Sequence, residues 1–183
     1  MIHCVLLAAG FSVRYGSDKL AELIGGIPMY RHTADILLRL SCEGLCTARL
    51  VTRGTLPVPP GIQAVPNPAA AEGIASSVRA GILSLPDDGA PAAFFAADQP
   101  YLKEETIRGF LRAWQSCGHG ILRCESGGVP GNPVIFDRRY FPELLALRGD
   151  TGGRQVLRAH PEDIALYHVP DGKELTDIDE KQS

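Results

Sequence analysis

An apolar run, Ile2-His3-Cys4-Val5-Leu6-Leu7, passes directly into a stretch of small residues punctuated by two cations, Ala8-Ala9-Gly10-Phe11-Ser12-Val13-Arg14-Tyr15-Gly16-Ser17-Asp18-Lys19. An apolar run bounded by glycine fits a strand covered on both faces, as the strands of parallel sheets are. Small residues let backbone N–H groups approach an anion closely, because no Cβ stands in the way. Arg14 adds a planar fork of donors for phosphate oxygens, and Lys19 adds a compact point charge on what is expected to be an exposed loop. Strand, then small-residue loop, then cations predicts a phosphate cradle at the carboxyl end of a central strand, where open α/β sheets take their ligands. The spacing is neither of the two commonest phosphate motifs. Only two residues separate Gly16 from Lys19, which does not fit G-x-x-x-x-G-K-[ST], and G-x-G-x-x-G is absent.

The length of 183 residues predicts one domain over 1–183. A formal net charge of −3 argues against nucleic-acid binding, which calls for a broad basic face, so the two cations are local to the loop. The five cysteines, Cys4, Cys42, Cys46, Cys117 and Cys124, form no C-x-x-C pair and are expected to be reduced thiols. No apolar run approaches the ~20 residues of a membrane span, and no signal peptide is recognisable, so a soluble, cytoplasmic protein is expected. His3, His32, His119, His160 and His168 show no ligand-like spacing and are read as structural or surface residues.

Strand and helix signals alternate along the chain. Gly25-Gly26-Ile27-Pro28 opens a helix whose inner face carries Met29, Thr33, Ile36, Leu37 and Leu40. Strands are predicted over 46–52 and 62–65, and a helix from Gly73 with Ile74, Val78 and Ile82 at helical spacing. Its first turn holds Gly73, Ser76 and Ser77, where free N–H groups favour an acceptor-rich ligand; a serine-capped helix end that binds nothing is the alternative. The buried strand 91–97 delivers Asp98-Gln99-Pro100. Asp98 at a strand end beside the cradle suits Mg²⁺, an ion that takes one or two carboxylates plus water and substrate phosphate. A helix follows over 103–115. A β-ribbon, 120–123 with 133–136, flanks the glycine-rich loop 125–132, where backbone is expected to pass close to a ligand. A short helix over 138–147, a helix containing Val156 and Leu157, and a strand over 164–169 complete the pattern. Together they predict a single three-layer α/β/α domain with a mostly parallel, Rossmann-like sheet.

The opening stretch matches L-A-A-G-x-S-x-R-x-G-x-x-K, and so resembles the nucleotidyltransferases with a glycosyltransferase-A-like (nucleotide-diphospho-sugar transferase) fold. Further matches follow in order: Asn67-Pro68 with Gly73 and Ser76-Ser77, Asp98-Gln99-Pro100, Gly131-Asn132-Pro133, Gly149-Asp150 with Gly152 and Arg154, and Asp177-Ile178-Asp179. Together they resemble the molybdenum cofactor cytidylyltransferases and, more broadly, the molybdopterin nucleotidyltransferases. Ala8-Ala9-Gly10 is more similar to the cytidylyltransferase branch than to the guanylyltransferase branch.

The resemblance implies a Mg²⁺-dependent transfer of a nucleotidyl group from CTP to the phosphate of molybdopterin, with release of pyrophosphate. In that reading Arg14, Lys19 and Asp98 are catalytic. Leu7, Ala8, Ala9, Gly10, Lys19, Asn67, Gly73, Ser76 and Ser77 hold the nucleotide, and Gly131, Asn132, Pro133, Asp150 and Arg154 hold the acceptor. The metal sits on Asp98 with Asp179, or else Asp177, as second carboxylate. Few residues follow Asp179, so a frayed position is expected for it. A molybdenum hydroxylase would receive the product. GTP as donor, a sugar or polyol phosphate as acceptor, and a non-catalytic carrier of a pterin cofactor are the alternatives that the residues leave open.

Overall fold

The computed structural model describes residues 1–10 and 18–178. Strand β1 (Ile2–Ala8) is followed by a ribbon of two short strands, β2 (Leu23–Ile24) and β3 (Ile27–Pro28), and by helix α1 (Met29–Cys42). Then come β4 (Cys46–Thr52), β5 (Gln63–Pro66), α2 (Ile74–Leu83), β6 (Ala92–Ala96) and α3 (Glu104–Ala113). The chain continues through β7 (Ile121–Ser126), β8 (Val129–Phe136), α4 (Phe141–Ala146), α5 (Arg154–Ala159) and β9 (Ile164–His168). Seven strands form one sheet in the order β5-β4-β1-β6-β8-β7-β9, and only β8 in it runs against the others.

Alternate side chains of each central strand enter opposite layers, because successive residues of a strand point to opposite faces. Cys4, Leu6 and Ala8 of β1, Leu50 of β4 and Phe95 of β6 pack beneath α1 and α3, against Leu37, Leu40, Ile107 and Phe110. Val5 of β1, Val51 of β4 and Phe94 of β6 pack beneath α2, α4 and α5, against Val78, Leu144 and Val156. This is the predicted mostly parallel sheet with helices on both faces. The buried His3 side chain near the start of β1 is satisfied internally: its Nδ1 lies 2.8 Å from Thr47 Oγ1 and its Nε2 lies 3.1 Å from Asp88 Oδ1.

Two local expectations change. The helix predicted to 115 ends at Ala113 and tightens into a 3₁₀ turn over Trp114–Ser116. The glycine-rich stretch 125–132 is mostly strand, not loop. Gly127 and Gly128 both have positive φ (58° and 80°), which makes them a two-residue hairpin turn, and pairing resumes at once with Ser126 opposite Val129 and Glu125 opposite Pro130.

Candidate active site

A cavity of about 570 Å³ opens where the carboxyl ends of β1 and β6 meet the first half of β8. Leu7 and Gly10 line it from β1 and its loop, and Ala97, Asp98 and Gln99 from the end of β6. Gly131 and Asn132 contribute from β8, and Asp150 and Arg154 from the approach to α5. Among the described residues nothing lies within 4 Å of where a Cβ on Gly10 would stand, which suits close approach of a ligand to the backbone.

Lys19 does not ride on an exposed loop. It starts a 3₁₀ turn, is 9% exposed, and its Nζ donates to Asp98 Oδ2 at 3.0 Å. The preceding residue fixes that turn: Asp18 Oδ2 accepts from Arg53 Nη2 at 3.2 Å and from Thr55 Oγ1 at 3.1 Å, and the Asp18 carbonyl accepts from the Ala21 N–H. Arg14 lies outside the described residues.

Asp98 and Gln99 are gripped by residues 174–178. The Asp98 carbonyl accepts from the Ile178 N–H at 3.0 Å. Gln99 Nε2 donates to the Leu175 carbonyl and to Asp177 Oδ1, both at 2.9 Å. Glu174, 3% exposed, accepts the Lys103 N–H, and Lys173 Nζ stands 4.5 Å from the ring centre of Tyr101. Residues 174–178 are therefore a docked strap, and Asp177 lines the cavity with Asp98. Asp179 lies outside the described residues.

The predicted nucleotide residues divide. Ala8 and Ala9 are 2% and 1% exposed and belong to the two cores. Asn67, Ser76 and Ser77 are buried and satisfy one another: Asn67 Nδ2 donates to Ser76 Oγ at 2.9 Å and to Ser77 Oγ at 3.0 Å, while Asn67 Oδ1 accepts from the Ala69 N–H. The first turn of α2 likewise spends donors within the chain, Ala75 N–H on the Gly149 carbonyl and Ser76 N–H on the Gly73 carbonyl. These residues build the wall behind the site and keep their polar groups to themselves. Gly73, at φ 96°, lets residues 149–150 close over it, since a Cβ there would lie 2.5 Å from the Gly149 carbonyl carbon.

Of the residues expected to hold an acceptor, Gly131 has a packing reason to be glycine, with Leu175 of the strap 3.2 Å from where its Cβ would be. Asn132 precedes a cis bond to Pro133, and Pro133 itself is buried in β8. Arg123 was not foreseen. It lines the cavity from β7, with Nε donating to the Gly131 carbonyl at 3.2 Å and Nη2 to the Pro130 carbonyl at 3.4 Å. Burial, and then the charge of Arg154, hold its guanidinium below the usual arginine range. Its neighbours in sequence are those of an ordinary strand and mark no ligand, so only the fold brings it to the cavity.

A family model for the MobA-like NTP transferase domain matches residues 4–164. The chain belongs to that family. The match spans the cradle strand, Lys19, Asp98 and the β7–β8 hairpin, and stops before the strap. Among solved structures this MobA-like chain is similar to Rv0371c of Mycobacterium tuberculosis, with 22% identity, 93% of this chain and 88% of that one covered, and a TM-score of 0.77. A manganese complex of Rv0371c gives 19%, 93%, 89% and 0.73 in the same order. A nucleotidyl transferase from Methanothermobacter gives 18%, 98%, 92% and 0.76. CMP:2-keto-3-deoxy-manno-octonic acid synthetase in complex with CTP gives 12%, 98%, 93% and 0.72. At these identities the likeness is one of fold. No curated protein sequence matches the chain. No described helix is long and apolar enough to cross a membrane.

Proposed function

We propose that this MobA-like nucleotidyltransferase, read as one domain over 1–183, joins the cytidylyl group of CTP to the phosphate of a molybdopterin-type acceptor. An acceptor phosphate oxygen forms a bond to the α-phosphorus as the bond from that phosphorus to the departing pyrophosphate oxygen breaks. The observation that carries the reading is the Lys19–Asp98 pair at the mouth of a cavity floored by the ends of β1 and β6. Transfer of this kind asks little covalent chemistry of a protein; positioning and neutralisation of charge carry it.

The roles follow from the places. Leu7 and Gly10 offer backbone to the triphosphate, and Lys19, with Arg14 beside it in sequence, meets the charge that grows on pyrophosphate. Asn67, Gly73, Ser76 and Ser77 shape the nucleotide wall from behind. Gly131, Asn132, Asp150 and Arg154 border the acceptor, and Arg123 joins them as a second cation facing an anionic group.

Mg²⁺ fits the donor set. Asp98 and Asp177 line one cavity, and Lys19 occupies one oxygen of Asp98. That suits an ion held by two carboxylates and completed by substrate phosphate. Bound there, it would neutralise phosphate charge and orient the triphosphate. Asp177 is the described carboxylate that lines the cavity with Asp98 and is taken as the second ligand here, with Asp179, two residues on, as the alternative second carboxylate.

Cytidine as the base is supported by the likeness of Ala8-Ala9-Gly10 to the cytidylyltransferase branch and by the CTP complex of a protein of similar fold. The test is pyrophosphate release with each nucleoside triphosphate, purified molybdopterin and Mg²⁺, alongside thermal shifts with CTP and GTP. CTP should give turnover and the larger stabilisation, which follows its preferential binding to the folded state. Preference for GTP would move the assignment to guanylyl transfer, and turnover only with a sugar phosphate would replace the acceptor. A recipient molybdenum hydroxylase and a cytoplasmic site of action accompany the molybdopterin reading.

A further inference from the structure

We propose that Gln99 is a positioning residue that straps residues 174–178 onto the end of β6 and so sets the Asp177 carboxylate in the cavity opposite Asp98. The proposal rests on the reading of those two carboxylates as the metal site. Gln99 is 2% exposed and its backbone carbonyl accepts from Thr33 Oγ1 of α1 at 3.3 Å, so the residue is anchored to the core layer. Both of its amide N–H bonds go to the strap, one to the Leu175 carbonyl and one to the Asp177 carboxylate. Turning the amide over would set its oxygen against two acceptors, so only one orientation is tolerated. The cost of that orientation is visible: Gln99 Oε1 is buried without a hydrogen-bond partner among the described residues. A buried acceptor left unmade is unfavourable, and such a group in a native fold calls for an explanation. Here the explanation is that the two strap bonds, one of them charge-assisted, fix the side chain in spite of it.

The rest of the strap agrees with this role. The Ile178 N–H closes on the carbonyl of Asp98 itself, the residue beside Gln99, and Leu175 packs on Gly131 of the opposite wall. Strap, Gln99 and Asp98 therefore move as one unit, and a metal that binds Asp98 and Asp177 together gains from a strap that is closed. By linkage the metal must in turn tighten the strap.

The test uses Mn²⁺ as probe, titrated by electron paramagnetic resonance into the full chain without nucleotide, together with hydrogen exchange at residues 175–178. Gln99→Met, which keeps volume but has no N–H, should weaken Mn²⁺ binding by about 10–100-fold, the usual effect of losing a group that orients a metal ligand. Asp177→Asn should weaken it at least as much. In the unaltered chain Mn²⁺ should slow exchange of the Ile178 amide. If Asp177→Asn weakens binding and Gln99→Met does not, the positioning role is wrong and the metal reading stands. If Asp177→Asn binds Mn²⁺ normally, Asp177 is no ligand and both fall. Should Gln99→Met fail to fold, the exchange experiment on the unaltered chain decides, and an Ile178 amide indifferent to Mn²⁺ overturns the proposal.

Discussion

Asp98→Asn is the substitution whose consequences the geometry fixes best, because its partner is nearly buried. Lys19 Nζ lies 3.0 Å from Asp98 Oδ2, and the two side chains are 11% and 27% exposed. At that distance and an effective dielectric near 20, the gross attraction is about 5–6 kcal/mol. Desolvation of both groups cancels most of it, and a hydrogen bond to a charged group leaves a net of roughly 1.5–3 kcal/mol. Asparagine keeps the volume and one neutral acceptor, so the loss should sit at the lower end, about 1–2 kcal/mol. For a chain of this size that is a fall of roughly 2–8 °C in thermal midpoint.

The two partners should not be equivalent. Lys19→Met leaves a carboxylate that water reaches, whereas Asp98→Asn leaves an ammonium group that water barely touches, so the aspartate variant should be the less stable. The double variant should recover about 1–2 kcal/mol relative to the sum of the single losses, measured by urea unfolding in a double-mutant cycle. In the reaction each single variant should lose on the order of 10²–10³ in turnover, the scale of removing one preorganised charge at a developing negative charge. Added Mg²⁺ should restore part of the Asp98→Asn loss and none of the Lys19→Met loss. A coupling below about 0.3 kcal/mol, within the additivity of independent sites, would refute the claim that the pair holds the mouth of the cavity together.

Three further outcomes are expected. Gly73→Ala forces an L side chain into φ 96° and a Cβ into the Gly149 backbone, so it should cost about 2–4 kcal/mol in urea unfolding and loosen residues 149–150 toward proteases. Gly10→Ala meets nothing within 4 Å among the described residues, so its stability should stay within about 0.5 kcal/mol of the unaltered chain while calorimetric affinity for CTP falls; equal affinity would remove Gly10 from the cradle. Asp163 is held below the usual aspartate range by the Tyr140 hydroxyl first and then by the Gly120 N–H, with Arg139 adding its charge. Because folding lowers that pKa, the unfolded chain binds the proton more readily, and the stabilisation present near neutral pH is lost as pH falls through the carboxylate range. Asp163→Asn should therefore be less stable at pH 7 and show a shallower loss of midpoint below about pH 4.

What a single sequence reveals here divides by the range of the interactions involved. β1, α1 and β4 stand close to their predicted bounds because their signals are local: an apolar run, a helical stripe, a run ended by Arg53-Gly54. The Lys19–Asp98 pair was legible as two residues, but the burial of Lys19 was not, since its partner lies 79 positions away and a lone charge reads as solvated. Asn67, Ser76 and Ser77 carry the residue types of a ligand shell, yet the register that turns them toward one another exists only in the folded chain. Gly127 and Gly128 misled for a local reason: a dense glycine run signals both a loop and the tightest of hairpin turns, and only the paired Val129 and Ser126 separate the two. Gly131 lines the cavity, and the crowding of its Cβ position by Leu175 adds a packing reason for glycine that only the folded chain shows.

The position of the cavity follows from the order of the strands. β6 has parallel β1 on one side and antiparallel β8 on the other, so it is the seam between the two halves of the sheet. Where β1 and β6 end, β8 begins, and a turn that carries Lys19 meets a hairpin wall that carries Asn132. Neither half closes that corner alone. Beyond the last strand, β9, the chain returns across it, and the strap fills the gap with Leu175 against Gly131 and Asp177 beside Gln99. A seam closed by a returning segment supplies two walls and a third, separately held carboxylate-bearing edge. Such an arrangement brings the turn of Lys19, the hairpin wall and the strap, three separate elements, to one corner around Asp98 at the seam, the place where open α/β sheets take their ligands.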